Sequence, residues 1–173
     1  FEKPSAGPLG DIYEGASRPG HFDGVVTVLS RLFGLVQPKS AIFGEKDFQQ
    51  LVLIKKIKSD VEIIAAPTIR QSEGLALSSR NMRLDPAARK AAKIISRALF
   101  AASQEKSVVS AHTLMLQILS DEATFICDYA EIFDENEFIP ASESTLHARA
   151  IIAGWINGIR LIDNMPMKLG ARS

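Results

Sequence analysis

Two short apolar runs, separated by a stretch of helical character, constrain the fold of the first half of the chain more than any other feature. Ala41 to Phe43 and Glu62 to Ala65 have the length and apolar character of buried strands. Helices are expected from Val25 to Val36 and from about Glu45 to Lys58, whereas the Gly-rich stretch from Asp11 to Gly24 predicts a loop. This order of helix, strand, helix and strand is typical of a parallel sheet with helical crossovers.

A different pattern begins after residue 82, where we place a domain boundary. Asp85 and Pro86 form an N-cap and a first-turn proline, and an apolar stripe from Ala91 to Ala102 continues the helix. Asn157-Gly158 can supply the positive φ angles of a tight hairpin. We also predict one further helix and three strands: Ala111 to Leu119, Phe125 to Phe133, Arg149 to Ile156 and Ile159 to Asp163. An α/β domain, residues 1–82, is therefore expected before an α+β domain, residues 83–173.

Charge and composition exclude several classes of protein. Of 173 residues, 46% are hydrophobic and 23% charged, as in most soluble globular chains. Twenty Lys and Arg balance twenty Asp and Glu, so the net charge favours neither nucleic acid nor a membrane surface as a partner. The longest uncharged stretches are shorter than the roughly 18 residues that span a bilayer. The single cysteine, Cys127, cannot form an internal disulfide, and we expect it to be a small buried side chain in a cytoplasmic protein.

The junction between the first strand and the following helix is the first candidate binding site. Ligands of open parallel sheets lie beyond the carboxyl ends of the strands, where a helix offers free N–H groups to an anion. Gly44 allows close approach of the backbone, Lys46 adds a cation, and Asp47 and Gln50 project from the same side of the helix. The alternative is that Gly44 only makes a turn and that Glu45 and Asp47 only favour the helix dipole.

The segment from Gly74 to Asn81 is the second candidate. The hydroxyls of Ser78 and Ser79 and the guanidinium of Arg80 offer several hydrogen-bond donors to a polyphosphate. Its position at the expected domain boundary suits a nucleotide held between domains. The alternative is a capped turn that carries a surface arginine.

A third candidate is the loop that contains Arg18 and His21, which could bind a small carboxylate or phosphate. The alternative is an exposed helix cap with a satisfied histidine. One cysteine and three scattered histidines have no zinc-site spacing, so we predict no protein-held metal.

Taken in chain order, these segments are more specific than any one of them alone. They read R-P-G-H-F-x-G-V from residue 18, F-G-E-K-D-F-Q-Q-L from residue 43, G-L-A-L-S-S-R-N-x-x-L from residue 74 and R-L-I-D-N from residue 160. This series resembles the pantothenate synthetase family, the pantoate:β-alanine ligases of the nucleotidyltransferase superfamily. The resemblance extends from about Glu14 to Leu169.

The resemblance implies a two-step reaction that uses ATP and Mg²⁺. Pantoate and ATP would form pantoyl adenylate and pyrophosphate, and the amine of β-alanine would then displace AMP to form pantothenate. It also implies a cytoplasmic homodimer. For the fold it implies the terminal portion of a Rossmann-like nucleotide-binding sheet in residues 1–82 and a small C-terminal lid domain, α+β with an antiparallel sheet, in residues 83–173.

The same resemblance assigns residues to the substrates. Lys46 and Arg80 would be catalytic and act on the phosphates, and Gln50, Arg18 and His21 would bind pantoate. The residues implied at ATP are Gly44, Glu45, Lys46, Asp47, Ile69, Leu77, Ser78, Ser79 and Arg80.

One departure from the family pattern concerns activity. The family begins with a half that carries an H-x-G-H motif, and no two histidines of this chain are three positions apart. We therefore expect the chain to be the C-terminal part of the ligase and inactive alone. The alternative is a naturally truncated, non-catalytic module for nucleotide binding or oligomerisation.

Overall fold

The chain divides into two compact units, Phe1–Pro67 and Thr68–Ser173. A computed structural model describes residues 4–170. The division precedes the boundary expected after residue 82, so the segment 68–82 belongs to the second unit. The reason is tertiary: Leu75 and Leu84 lie in the same buried apolar cluster as the helices and strands that follow them.

The first unit is built around a two-stranded parallel sheet. Strands β1 (Ser40–Gly44) and β2 (Glu62–Ala66) pair in register from Ser40 opposite Glu62 to Gly44 opposite Ala66. Helix α3 (Phe48–Lys55) forms the crossover between them. The two predicted strands and the α/β class are confirmed, since a helical crossover joins the parallel pair. The expectation that both strands are buried is wrong, because neither contains a buried residue and Ile42 is 69% exposed.

Helix α3 is shorter than the helix predicted from Glu45 to Lys58. Glu45–Asp47 forms a 3₁₀ turn, and Asp47 has a ψ of 62°, which is not helical, so the α-helix begins at Phe48. At the other end the N–H groups of Lys56 and Ile57 donate to carbonyls only three residues back, and the helix ends at Lys55.

The loop predicted from Asp11 to Gly24 is wrong in part. It contains helix α1 (Glu14–Ser17) and the first turn of helix α2 (His21–Val36). Glycine serves a packing purpose here, since a Cβ on Gly15 would lie 1.8 Å from the carbonyl oxygen of Gly10. Gly15, one of the glycines that indicated a loop, instead permits two backbone segments to come into contact.

The second unit packs two helices on one face of a three-stranded antiparallel sheet. Its elements are α4 (Pro86–Gln104), α5 (Val108–Ser120), β3 (Phe125–Asp134), β4 (His147–Ile156) and β5 (Ile159–Lys168), with sheet order β3-β4-β5. The Asp85 carboxylate caps α4 by accepting from the N–H of Ala88 at 2.8 Å.

Asn157 and Gly158 have φ angles of 49° and 71°, so the predicted hairpin is confirmed. β5 extends beyond the predicted end at Asp163, because its pairing with β4 continues to Lys168 opposite His147.

Cys127 is exposed, so the expectation of a buried thiol is wrong. A shift of register between Cys127 and Tyr129 interrupts the alternation of β3. Partial burial, together with the carboxylates of Asp128 and Glu131, raises the pKa of the Cys127 thiol.

Within residues 4–170, no helix is both long and apolar enough to cross a membrane.

We predict that replacing Gly15 with Ala destabilises the first unit by roughly 1–3 kcal/mol, the usual cost of overpacking, because the added methyl group would overlap backbone atoms. Thermal unfolding measures the loss. Gly34→Ala is the matched control, since a Cβ on Gly34 meets no atom within 4 Å and helix α2 should gain stability. Equal stability of the two variants would contradict the prediction.

The outer side of α2 leads to a second prediction. Val28, Leu32, Leu35 and Val36 are exposed and follow helical spacing, which defines an apolar α2 stripe. We expect the chain to self-associate through it, so Leu32→Lys with Leu35→Lys should lower both the sedimentation coefficient and the binding of a hydrophobic dye. Val109→Lys with Leu116→Lys, which alters exposed apolar residues of α5, should leave both unchanged. A compact monomer at tens of micromolar before any substitution would contradict the expectation.

Candidate functional site

The first candidate segment lies at the carboxyl end of β1. Gly44 has an extended backbone, with φ −71°, and a Cβ there would meet no atom within 4 Å. Neither a turn nor internal packing therefore requires glycine at this position. Open space beside the backbone is what close approach of a ligand needs.

Lys46 follows within the 3₁₀ turn. Its side chain is only 19% exposed, and its Nζ lies 3.9 Å from a carboxylate oxygen of Asp47, which is more than half exposed. Glu45 and Asp47 are the acidic residues of this turn. A lysine side chain that is largely buried beside an exposed carboxylate is not an ordinary solvated surface lysine.

The two adjacent glutamines of α3 have different environments. Gln49 is buried, and its amide donates to the carbonyls of Leu9 and Ile12 at 2.8 and 2.9 Å and accepts from the N–H of Glu14 at 3.1 Å. Gln50 is half-buried, and its side chain makes no hydrogen bond within residues 4–170. Gln49 therefore holds the segment before α2 in place, whereas the Gln50 amide is not used in this way among residues 4–170. Spacing to Asp47 and the family resemblance indicated Gln50, but no pattern in the sequence indicated the buried role of Gln49.

His21 lies within electrostatic reach of both Arg18 and Asp47. His21 begins α2, and its N–H donates to the Arg18 carbonyl at 3.0 Å. Burial lowers the pKa of His21 and the Arg18 guanidinium lowers it further, while the carboxylates of Glu14 and Asp47 oppose the shift. The first unit thus brings the third candidate segment within electrostatic reach of the first, and the imidazole is mainly neutral at pH 7.

In the second unit the structure brings Ile69 beside Leu77. The N–H of Leu77 donates to the Ile69 carbonyl at 2.9 Å, and that of Gln71 donates to the Leu75 carbonyl at 2.9 Å. Gly74, with φ 90°, lies at the turn of this hairpin, which we call the 69–77 hairpin. Ile69 and Leu77 remain 65% and 49% exposed. Together they form an apolar surface. The sequence did not predict this surface, because the two residues are not adjacent in the chain.

Ser78, Ser79 and Arg80 follow the hairpin directly. The Ser78 hydroxyl accepts from the N–H of Arg80 at 3.2 Å and caps a 3₁₀ helix, Ser79–Arg83. The predicted alternative of a capped turn is therefore correct for Ser78, although its O–H can still donate outward. In the part of the chain that the structure describes, the guanidinium of Arg80 makes no hydrogen bond or ion pair.

Two motif residues for which the sequence suggested no role support the second segment. The buried Asn81 donates from its side chain to the Ala76 carbonyl at 2.9 Å. Asp163, in β5, forms an ion pair with Arg70 of the hairpin. Their position in the motifs was the only signal in the sequence, and long-range packing explains it.

The arrangement can bind an anionic, partly apolar ligand. Ser78, Ser79 and Arg80 offer donors to phosphate oxygens beside the apolar surface of Ile69 and Leu77. Among residues 4–170, no three His, Cys, Asp or Glu side chains form a group that could hold a metal ion.

The electrostatic surroundings of His21 yield a prediction. Arg18→Gln should raise the pKa of His21, and Asp47→Asn should lower it, because the first change removes a cation and the second removes an anion. Titration of the imidazole signals by NMR measures both, and Asp60→Asn, an exposed change in the same unit, is the control.

Stability follows from the same shift. Since folding lowers the pKa of His21, the folded state binds fewer protons than the unfolded chain. The contribution of the neutral imidazole is complete above pH 6.5 and declines as the pH falls below that value. This contribution to the loss of stability at acid pH should be absent from the His21→Gln variant. An unchanged pH dependence of the free energy of unfolding in that variant would contradict the assignment.

Comparison with known proteins identifies the family. The sequence model of the family described as "Pantoate-beta-alanine ligase" matches residues 4–166. The pantothenate synthetase of Thermus thermophilus is 46% identical over 167 residues, which cover 92% of this chain and 60% of that protein. That of Nocardioides sp. JS614 is 46% identical over 175 residues, with coverage of 96% and 52%.

Two solved structures of this family are also similar to this chain. Pantothenate synthetase from Thermus thermophilus superimposes with a TM-score of 0.88 and 44% identity, covering 92% of this chain and 60% of that one. Pantoate-beta-alanine ligase from Francisella tularensis, solved in complex with beta-gamma ATP and beta-alanine, has a TM-score of 0.67 and 30% identity, covering 95% and 57%.

The chain spans between about half and three-fifths of the length of these relatives. Its α/β architecture, with a parallel sheet and a separate three-stranded antiparallel sheet, is that of the solved structures. The family match over nearly all of the described residues, together with the identities of the relatives, shows that this chain belongs to the pantoate–β-alanine ligase family.

Proposed function

We propose that this chain is the nucleotide- and pantoate-binding part of an ATP-dependent ligase that condenses pantoate with β-alanine to pantothenate. The observation that carries the proposal is the 69–77 hairpin, which sets two exposed apolar side chains beside Ser78, Ser79 and the available guanidinium of Arg80. An apolar surface for a base next to donors for phosphates suits a nucleoside triphosphate.

Two segments are assigned to ATP in this proposal. In the second unit, the adenine lies against Ile69 and Leu77, and the triphosphate accepts hydrogen bonds from the Ser78 and Ser79 hydroxyls and from Arg80. The first segment, Gly44 to Asp47, contributes Lys46 and the open backbone at Gly44. Acidic Glu45 and Asp47 flank the lysine, and the Asp47 carboxylate lies 3.9 Å from its Nζ.

Pantoate is assigned to the first unit. The amide of Gln50 can donate to its oxygens, and the Arg18 cation attracts its carboxylate. His21 lies beside Arg18, and its lowered pKa keeps the imidazole mainly neutral, so that it can offer an N–H without adding charge.

The proposed chemistry proceeds in two displacements. A carboxylate oxygen of pantoate forms a bond to the α-phosphorus of ATP, and the bond to pyrophosphate breaks. The β-alanine nitrogen then bonds to the acyl carbon, the bond to AMP breaks, and the nitrogen loses a proton. Lys46 and Arg80 act in the first step, because negative charge accumulates on the phosphates as the α-phosphorus reacts.

Mg²⁺ enters this proposal with ATP. Among residues 4–170, no group of three or more His, Cys, Asp or Glu side chains could hold a metal ion. That finding is compatible with a cation held mainly by substrate phosphates and water, as Mg²⁺ usually is beside nucleotides.

Three further parts of the proposal concern the state of the protein. The span described here forms no pantothenate alone, since the relatives use a longer chain. It associates as a homodimer, for which the exposed α2 stripe is the supporting feature. We assign it to the cytoplasm, in keeping with its single cysteine.

The decisive experiment uses a full-length enzyme that contains this span. Lys46→Ala and Arg80→Lys should each slow AMP formation about a hundredfold or more, equivalent to roughly 2.7–4 kcal/mol for Lys46, because preorganised donors to the phosphates are lost. Arg80→Lys is harmful since an ammonium group cannot reproduce the guanidinium fork. AMP release is measured at saturating pantoate with ATP varied, with thermal unfolding to confirm the fold.

Lys55→Ala and Arg83→Lys are the matched controls, because both residues are exposed and neither is assigned to the site. They should leave turnover close to that of the unsubstituted enzyme. Near-normal turnover of both Lys46→Ala and Arg80→Lys would overturn the assignment of the nucleotide site.

A further inference from the structure

The guanidinium of Arg70 makes four hydrogen bonds, three to strand β5 and one to the turn of the 69–77 hairpin. It forms a bidentate pair with the Asp163 carboxylate, with N···O distances of 2.6 and 2.9 Å. It also donates to the carbonyl of Gly74 at 3.0 Å and to that of Asn164 at 2.9 Å. One side chain thus fixes the turn of the hairpin and the strand together.

Asp163 is held in a single orientation. Its side chain is 4% exposed, and its Oδ1 also accepts from the N–H of Asn164 at 2.8 Å. It lies midway along β5, opposite Ile152 of the central strand β4. A buried carboxylate with every contact satisfied is a rigid anchor, because moving it would leave charge unpaired.

The anchor acts on the apolar surface that the proposed function assigns to the adenine. Arg70 follows Ile69 directly and pairs with Ala76 across the hairpin, while Leu77 bonds back to Ile69. Fixing Arg70 therefore fixes the separation of Ile69 and Leu77.

Other contacts hold different points of the hairpin. Arg89 of α4 donates to the Gln71 side chain at 2.6 Å, and Asn81 donates to the Ala76 carbonyl. Neither of these hydrogen bonds involves Ile69. Arg70 is thus the side chain that ties the Ile69 end of the hairpin to the sheet.

We propose that Arg70 and Asp163 are positioning residues for the nucleotide: without touching ATP, they hold Ile69 and Leu77 in the geometry that binds it. The inference rests on the proposed function, since it concerns the same site. It explains why residue 70 is an arginine, because a lysine ammonium group cannot form the bidentate pair and reach two carbonyls at once.

The test compares Arg70→Lys with Arg160→Lys in a full-length enzyme that contains this span. Arg160 also pairs with a carboxylate, that of Asp128, in the same sheet but away from the hairpin. For Arg70→Lys we expect the KM for ATP to rise about tenfold, with the KM for pantoate unchanged. The amide of Leu77 should exchange its hydrogen about tenfold faster. Arg160→Lys should change none of these quantities.

A second variant distinguishes a positioning role from a general loss of stability. Asp163→Glu keeps the charge but displaces the carboxylate by one methylene, and it should raise the KM for ATP in the same direction. A purely structural pair would instead lower kcat through a smaller folded fraction and leave both KM values unchanged. That result, or an equal effect of Arg160→Lys, would overturn the inference.

The outcome also separates this inference from the proposed function. An unsubstituted enzyme that releases no AMP in the presence of ATP and pantoate overturns the proposed function itself. Normal kinetics of that enzyme, with an unchanged KM for ATP and unchanged Leu77 exchange in Arg70→Lys, overturns only the role assigned to Arg70 and Asp163.

Discussion

The bidentate pair between Arg70 and Asp163 is the interaction on which the candidate nucleotide surface depends. A loop that follows a parallel strand has few contacts of its own, and the 69–77 hairpin has only a short ladder of backbone hydrogen bonds. Because a buried carboxylate requires compensation, the sheet and the hairpin constrain each other. Neighbouring Asn164 extends the network to the buried Arg149, which donates to the Asn164 side chain at 2.6 Å and pairs with Glu135.

In the first unit, a neutral amide holds an irregular segment of backbone in the corresponding way. The Gln49 amide satisfies two carbonyls and one N–H of the segment before α2, so it replaces hydrogen bonds that this irregular backbone lacks. The close contact of Gly15 with the backbone of Gly10 is possible because Gly15 carries no side chain. Together these features keep His21 within reach of Asp47. In both units, a few polar side chains hold the backbone that presents the candidate ligand-binding groups.

The motifs shared with the family therefore mix two kinds of residue. The side chains of Arg80 and Gln50 make no hydrogen bond within residues 4–170, whereas those of Asn81 and Asp163 are buried and bond to other parts of the protein. Spacing cannot separate these kinds, because both are polar residues in short specific strings. The distinction depends on burial and on partners that are distant in sequence, such as Arg70 for Asp163.

The sequence by itself determined the elements whose signals are local: strands β1 and β2, the capped start of α4, the Asn157-Gly158 turn and the family. Only the tertiary structure decided the division at Pro67, the helices within 11–24, the exposure of Cys127 and the different environments of Gln49 and Gln50. It also decided that Ile69 lies beside Leu77. Capping, turn and periodicity preferences act within a few residues, whereas burial and close backbone contact depend on segments that only the folded chain brings together.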